Sequence, residues 1–132
     1  MKLHFSELIP SLPFIAKGTL VVLQYAGISV SLGFVLGSVL AILRTLENSS
    51  LLKGFAVAYV SIFRGTPLLL QLSLAYFAIP QLFGYQISAF EAGVLSFSLN
   101  SAAYVSEAIR GGLQAVDKGQ MEAGLSLGLP WW

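Results

Sequence analysis

Two long stretches without a charged residue limit what this chain can fold into. Residues 18–43 lie between Lys17 and Arg44, and residues 65–90 between Arg64 and Glu91. Each is 26 residues without Asp, Glu, Lys or Arg. A helix needs about 20 apolar residues to cross about 30 Å of hydrocarbon, so both gaps are long enough. The totals agree: 56% of the residues are hydrophobic and 10% charged, and the mean hydropathy is +0.81. A soluble domain is about one quarter charged. The chain reads as an all-α, polytopic transmembrane bundle.

Several function classes fall away. A net charge of +1 gives no reason to expect nucleic acid, and the absence of cysteine removes disulfides and thiolate metal sites. His4, the only histidine, lies in the lead-in far from any Gly-x-Ser arrangement, and Asp117 is the only aspartate, so there is no candidate for a serine–histidine dyad or a paired-aspartate protease. No phosphate-cradling Gly-Lys-Ser/Thr loop is present. The start, MKLHFSELIPSLPFIAKG, lacks a continuous apolar core and a small-residue cleavage site.

Residues 1–17 mix apolar residues with Lys2, Glu7 and Lys17, and Pro10 and Pro13 oppose one continuous helix. They read as an interfacial lead-in. Residues 18–43 form the clearest span. Within it Ser29, Gly33, Gly37 and Ala41 fall four apart, a ladder that lets a second helix approach closely. A polar break follows at 44–53, with turn chemistry at Asn48-Ser49-Ser50. The apolar run 54–63 is too short to span before Arg64, so it is either an interfacial helix or the start of one continued by 66–80. Gly65 and Pro67 predict a bend. The second span is expected from about Thr66 into the region before Pro80. The third, from about Ala92 to Ile109, carries Ser96, Ser98, Asn100, Ser101, Tyr104 and Ser106, so it should face protein or water rather than lipid. Ser98, Ala102 and Ser106 repeat the four-residue spacing. About three spans are expected.

Orientation follows from positive charge in short loops. Residues 81–90 contain no Lys or Arg, whereas Arg110 and Lys118 follow the third span and Arg44 and Lys53 follow the first. This predicts 44–53 and the segment after 110 in the cytoplasm, with the N-terminus outside.

Beyond the third span, Asp117 and Gln120 have the spacing of a capping box. Met121 and Leu125 share the face of a short helix that Gly128 should stop before Pro130. Such a helix either lies against the membrane or its own subunit, or docks in a groove of a partner.

The run Asn100-Ser101-Ala102-Ala103-Tyr104, then Glu107, Arg110-Gly111-Gly112, Gly119-Gln120-Met121-Glu122-Ala123 and Leu127-Gly128, resembles the signature of bacterial ABC importer permeases. The resemblance is to the polar amino-acid group, which handles histidine, glutamine, arginine and similar solutes. Residues 64–72, Arg-Gly-Thr-Pro-Leu-Leu-Leu-Gln-Leu, resemble that group's second motif. The resemblance implies a multi-pass subunit of the cell inner membrane in a binding-protein-dependent transport system. A separate ATP-binding cassette ATPase would hold ATP and Mg, leaving this chain without a cofactor. It also implies an extracytoplasmic solute-binding protein, a second permease subunit, the lipid bilayer and an amino-acid solute as partners. Gly119, Gln120, Glu122, Ala123 and Gly128 would belong to a cytoplasmic coupling helix that docks on the ATPase. Residues 18–132 would form the transmembrane domain. The family usually has alanine at Gly124, and a full permease of this type continues past Trp132, so a chain incomplete within or just after the coupling region is expected. A fragment of that kind could instead be a non-transporting membrane scaffold that keeps only the docking element.

Single residues carry two readings each. Arg64 either reaches headgroups from the interface, or anchors the bend at Pro67 or pairs with Glu107. Gln71, Asn100, Ser101 and Tyr104 are either interhelical glue or the lining of a solute path. Glu107 and Arg110, three apart, are expected to pair at the water-side end of the third helix.

Overall fold

The computed structural model describes residues 9–45 and 50–130. The beginning of the lead-in, with His4, and the turn residues Asn48 and Ser49 lie outside the described residues. A 3-10 turn at Ile9–Ser11 leads into helix α1, Leu12–Thr45. This helix starts earlier than the 18–43 expected. Pro13 sits in its first turn, where a missing N–H costs no intrahelical bond, so residues 12–17 join the helix. At 34 residues α1 is about 51 Å long, and it is the one described helix long and apolar enough to cross a membrane alone.

Helices α2, Ser50–Gly65, and α3, Leu68–Phe83, meet at 102°. The bend falls at Gly65–Pro67, and its angle excludes one helix running from 54 to 80. Pro67 stands just before α3 with φ −60° and ψ 135°, and proline disfavours helical geometry in the residue before it. Together the bent pair would make a second candidate span. Helix α3 continues past Pro80 to Phe83 and ends on Gly84 at φ 66°, whose N–H donates to the Pro80 carbonyl.

Helix α4, Ala89–Gln114, exceeds the expected 92–109 at both ends. Its start is a capping box in Ser88-Ala89-Phe90-Glu91. The Glu91 N–H donates to Ser88 Oγ at 3.2 Å, and the Ser88 N–H donates to Glu91 Oε2 at 2.7 Å. The Tyr85 hydroxyl donates to Glu91 Oε1 at 2.8 Å. These donors hold the Glu91 carboxyl below its ordinary range, the Ser88 backbone bond most of all, then the Ser88 and Tyr85 side chains. The sequence pattern S-x-x-E encodes this start.

Helices α1 and α4 run parallel and make the main contact of the fold. A Cβ built on Gly33 would lie 2.5 Å from Ser101 Cβ, one on Gly37 2.7 Å from the Ala102 carbonyl, and one on Gly93 2.5 Å from the Tyr25 ring. All four residues of the Ser29–Ala41 ladder are buried, and so are Ser98, Ala102 and Ser106 opposite. Small side chains let two backbones close on each other without a hydrophobic driving force. Tyr25 completes the seam: its ring lies 4.9 Å from that of Phe90 and 5.6 Å from that of Phe97, and its hydroxyl donates to the Ala89 carbonyl. Helix α2 packs on this pair: Ala56 is buried against Leu40 and Ala102, and Val60 is buried one turn on. The Tyr59 hydroxyl ties it to α4 through the Leu99 carbonyl at 2.8 Å. Helices α1, α2 and α3 thus all pack against α4.

Candidate coupling and transport site

At the C-terminal ends of α1 and α2, and about two turns before that of α4, one carboxylate gathers three guanidinium groups. Glu107 Oε1 accepts from Arg44 Nη1 at 2.6 Å. Oε2 accepts from Arg110 Nε at 2.9 Å and Nη2 at 2.7 Å. Arg64 Nη1 stands 3.5 Å from Oε1, and its guanidinium lies 5.4 Å from the centre of the Tyr104 ring. The expected pairing of Glu107 with Arg110 is present, and Arg64 joins it as a looser third partner. Arg44 is the addition. It makes the most buried of the three pairs, with 13% of its side chain exposed, and no local spacing links residues 63 apart. The pairing also sets Arg44 and Arg110, from the two segments predicted on the same side, at one end of the bundle.

Gln71 and Asn100 meet at the α2–α3 bend. The Gln71 amide donates to the Phe63 carbonyl at 2.9 Å and to the Thr66 carbonyl and hydroxyl at 3.1 and 2.9 Å. The Asn100 amide donates to the same Phe63 carbonyl at 3.1 Å and to Gln71 Oε1 at 3.3 Å. The carbonyls freed where α2 stops therefore find donors from α3 and α4, as buried backbone groups require. Both amides thus tie α3 and α4 to the end of α2. Ser101 lies against Gly33 in the α1–α4 seam, whereas Tyr104 is exposed beneath Arg64. The four residues considered for a solute path thus divide between a bend, a helix seam and an open surface.

The short helix is α5, Lys118–Ser126. Asp117 caps it, accepting from the Gly119 N–H at 2.7 Å. Asp117 is thus a simple N-cap and neither half of the predicted capping box forms: it takes the Gly119 N–H rather than that of Gln120, and among the described hydrogen bonds the Gln120 side chain does not reach back. At the far end Gly128 adopts φ 74°. Its N–H donates to the Leu125 carbonyl, and the Leu129 N–H reaches the Gly124 carbonyl at 3.1 Å. This pair of bonds is the Schellman stop, and the Leu129 side chain lies over Gly124. Gly119, Gln120, Met121, Glu122, Ala123 and Leu125 are all exposed. Helix α5 is built at both ends and left largely uncovered by the other described residues.

Comparison with known proteins agrees with this architecture. Residues 33–132 match the family described as binding-protein-dependent transport system inner membrane component. A Rickettsia felis protein named for the permease GlnP of a glutamine transport system is 55% identical over 121 residues, covering 92% of this chain and 55% of that protein. The arginine transport system permease protein ArtQ of Bacillus subtilis is 48% identical over 131 residues, covering 99% of this chain and 59% of that one. A crystal structure of an amino acid ABC transporter with histidines superposes with a TM-score of 0.87 at 40% identity, covering 98% of this chain and 60% of the other. The chain therefore spans somewhat over half the length of these relatives. By these matches it belongs to the family of binding-protein-dependent transport system inner membrane components.

Proposed function

We propose that this chain supplies membrane-spanning structure to the permease of an ABC importer for polar amino acids in the cell inner membrane. The observation that carries this reading is α5. A helix of nine residues is marginal alone in water, yet this one is capped, terminated and left with its Met121–Leu125 stripe exposed. Such a face suits a groove on a partner. In this reading the partner is a cytoplasmic ATP-binding cassette ATPase carrying ATP and Mg. Gly119, Gln120, Glu122 and Ala123 contact it, and Gly128 fixes where the helix ends. An extracytoplasmic binding protein delivers the solute, and a second permease subunit completes the path. Residues 44–53 and those after 110 face the cytoplasm.

The test is uptake by the full-length permease co-expressed with its ATPase and binding protein, with competition among amino acids. Competed, ATP-dependent uptake supports the proposal. Binding of the ATPase without uptake of any amino acid favours a non-transporting scaffold and overturns it. Glu122→Ala is expected to lower uptake while the ATPase stays bound.

A further inference from the structure

The three-arginine cluster carries an unbalanced charge. Among the described residues Arg44, Arg64 and Arg110 face a single carboxylate, Glu107, leaving a surplus of two positive charges. Charges withdrawn from water are costly unless they are paired. The helix ends help: Arg44 and Arg64 lie in the last turns of α1 and α2, where the dipole offers partial negative charge. The guanidinium groups are not equally occupied, however. Arg110 donates to Glu107 with Nε and Nη2 and to Gln114 with Nη1, and Arg44 donates to Glu107. Arg64 makes no hydrogen bond among the described residues, and 43% of its side chain is exposed. Its guanidinium carbon lies 5.4 Å from the centre of the Tyr104 ring, within cation–π range.

We propose that Arg64, held over Tyr104 beside Glu107, is the principal donor of a site for the phosphate of an anionic phospholipid. The planar fork of arginine matches a phosphate bidentately. Arg44 and Arg64 stand in the last turns of α1 and α2, and Glu107 and Arg110 lie seven and four residues before the end of α4; with α2 lying along the interface and these ends in the cytoplasm, the cluster falls near headgroup depth. Anionic lipids of the cytoplasmic leaflet are attracted to basic groups at that depth. This inference rests on the membrane reading proposed above.

The test uses the full-length permease in nanodiscs in which phosphatidylglycerol is titrated into phosphatidylcholine, with retained lipid measured by native mass spectrometry. Arg64→Gln is expected to weaken phosphatidylglycerol retention about fivefold, as for one cation lost near a charged headgroup. Arg64→Lys, which keeps charge and loses the fork, should fall between, and Lys17→Gln at the other end of α1 should change nothing. On the unsubstituted protein, a photoactivatable phosphatidylglycerol is expected to label residues 59–70 and 100–110. Unchanged retention in Arg64→Gln, or labelling confined to other segments, overturns the site. An Arg64→Gln effect on the KM for amino acid with retention unchanged also overturns it, assigning the anion to the solute's carboxylate. If alkaline carbonate strips the wild-type protein from membranes, the membrane reading itself fails. Stable integration with unchanged retention removes the lipid site alone.

Discussion

Gly37 of α1 and Val105 of α4 meet so closely that a Cβ on the glycine would lie 2.7 Å from the Cβ of Val105. Neither backbone can yield without disturbing the seam that holds α1 and α4 parallel. Gly37→Ala is therefore expected to destabilise the protein by about 1–3 kcal/mol, the usual cost of overpacking. Gly27, with no atom within 4 Å of a Cβ at that position, is the control. Gly27→Ala should be neutral or stabilise by about 0.5–1 kcal/mol through helix propensity. Thermal unfolding of both variants in one detergent separates the two effects.

Helix α5 offers the opposite case. A Cβ at Gly124 would meet only Leu129 Cδ1, at 4.0 Å, so Gly124→Ala fits without strain. It should strengthen the helix by about 1 kcal/mol. Gly128 is at φ 74°, where an L-residue costs about 1–2 kcal/mol, so Gly128→Ala should fray the same helix. Amide exchange across 118–129 is expected to slow in the first variant and quicken in the second.

The Glu91 cap predicts a response to acid. Its carboxyl titrates below the ordinary range in the folded chain because Ser88 and Tyr85 donate to it. A depressed folded pKa means that the contribution is complete above the unfolded carboxyl pKa. It is lost as pH falls through the folded value. Relative to the intrinsic rate at each pH, the protection of the first-turn amides of α4 should therefore fall on acidification through that window. Glu91→Gln should remove the pH dependence and leave later turns unaffected.

Within the ion cluster the partners should rank by geometry. Arg44→Gln removes a bond of 2.6 Å between largely buried side chains and is expected to cost about 1.5–3 kcal/mol, as for a hydrogen bond to a charged group. Arg64→Gln, at 3.5 Å and more exposed, should cost under about 1 kcal/mol. Equilibrium unfolding that ranks Arg64 above Arg44 would contradict the arrangement. Charge reversal at both Arg44 and Glu107 should recover part of what either reversal loses.

The bend makes a further distinction. Asn100→Leu leaves the Phe63 carbonyl and Gln71 Oε1 with fewer donors and should destabilise by about 1–3 kcal/mol. As glue, Asn100 should leave the KM for solute unchanged in the complete transporter. A KM shift without loss of stability would place Asn100 in the path instead.

What could be read from the chain alone was whatever short spacing encodes. The four-residue ladder at Ser29, Gly33, Gly37 and Ala41, the bend at Gly65–Pro67, the Asp117 cap and the Gly128 stop are each local chemistry. The Ser88–Glu91 box is equally local, a helix start set at the end of an apolar loop that masks it. The early start of α1 is less legible because proline breaks a helix in its interior but is tolerated, as at Pro13, in a first turn. Arg44 belongs to a different class. Its partner is 63 residues away, and only the parallel docking of α1 on α4 brings the two together. The same holds for Gln71 and Asn100, whose amides read as unspent until the bend supplies carbonyls to take them.

Because α1, α2 and α3 all lean on α4, that helix works as a keel. Its 26 residues make a rod about 39 Å long. The glycine and alanine contacts along it leave no slack in which a tilt could be absorbed. Simple leverage follows: turning such a rod by about 5° about one end carries the other sideways by about 3 Å. A push delivered near Gln114, where the rod hands over to α5, would thus be felt at Ala89, on the far side of the bundle.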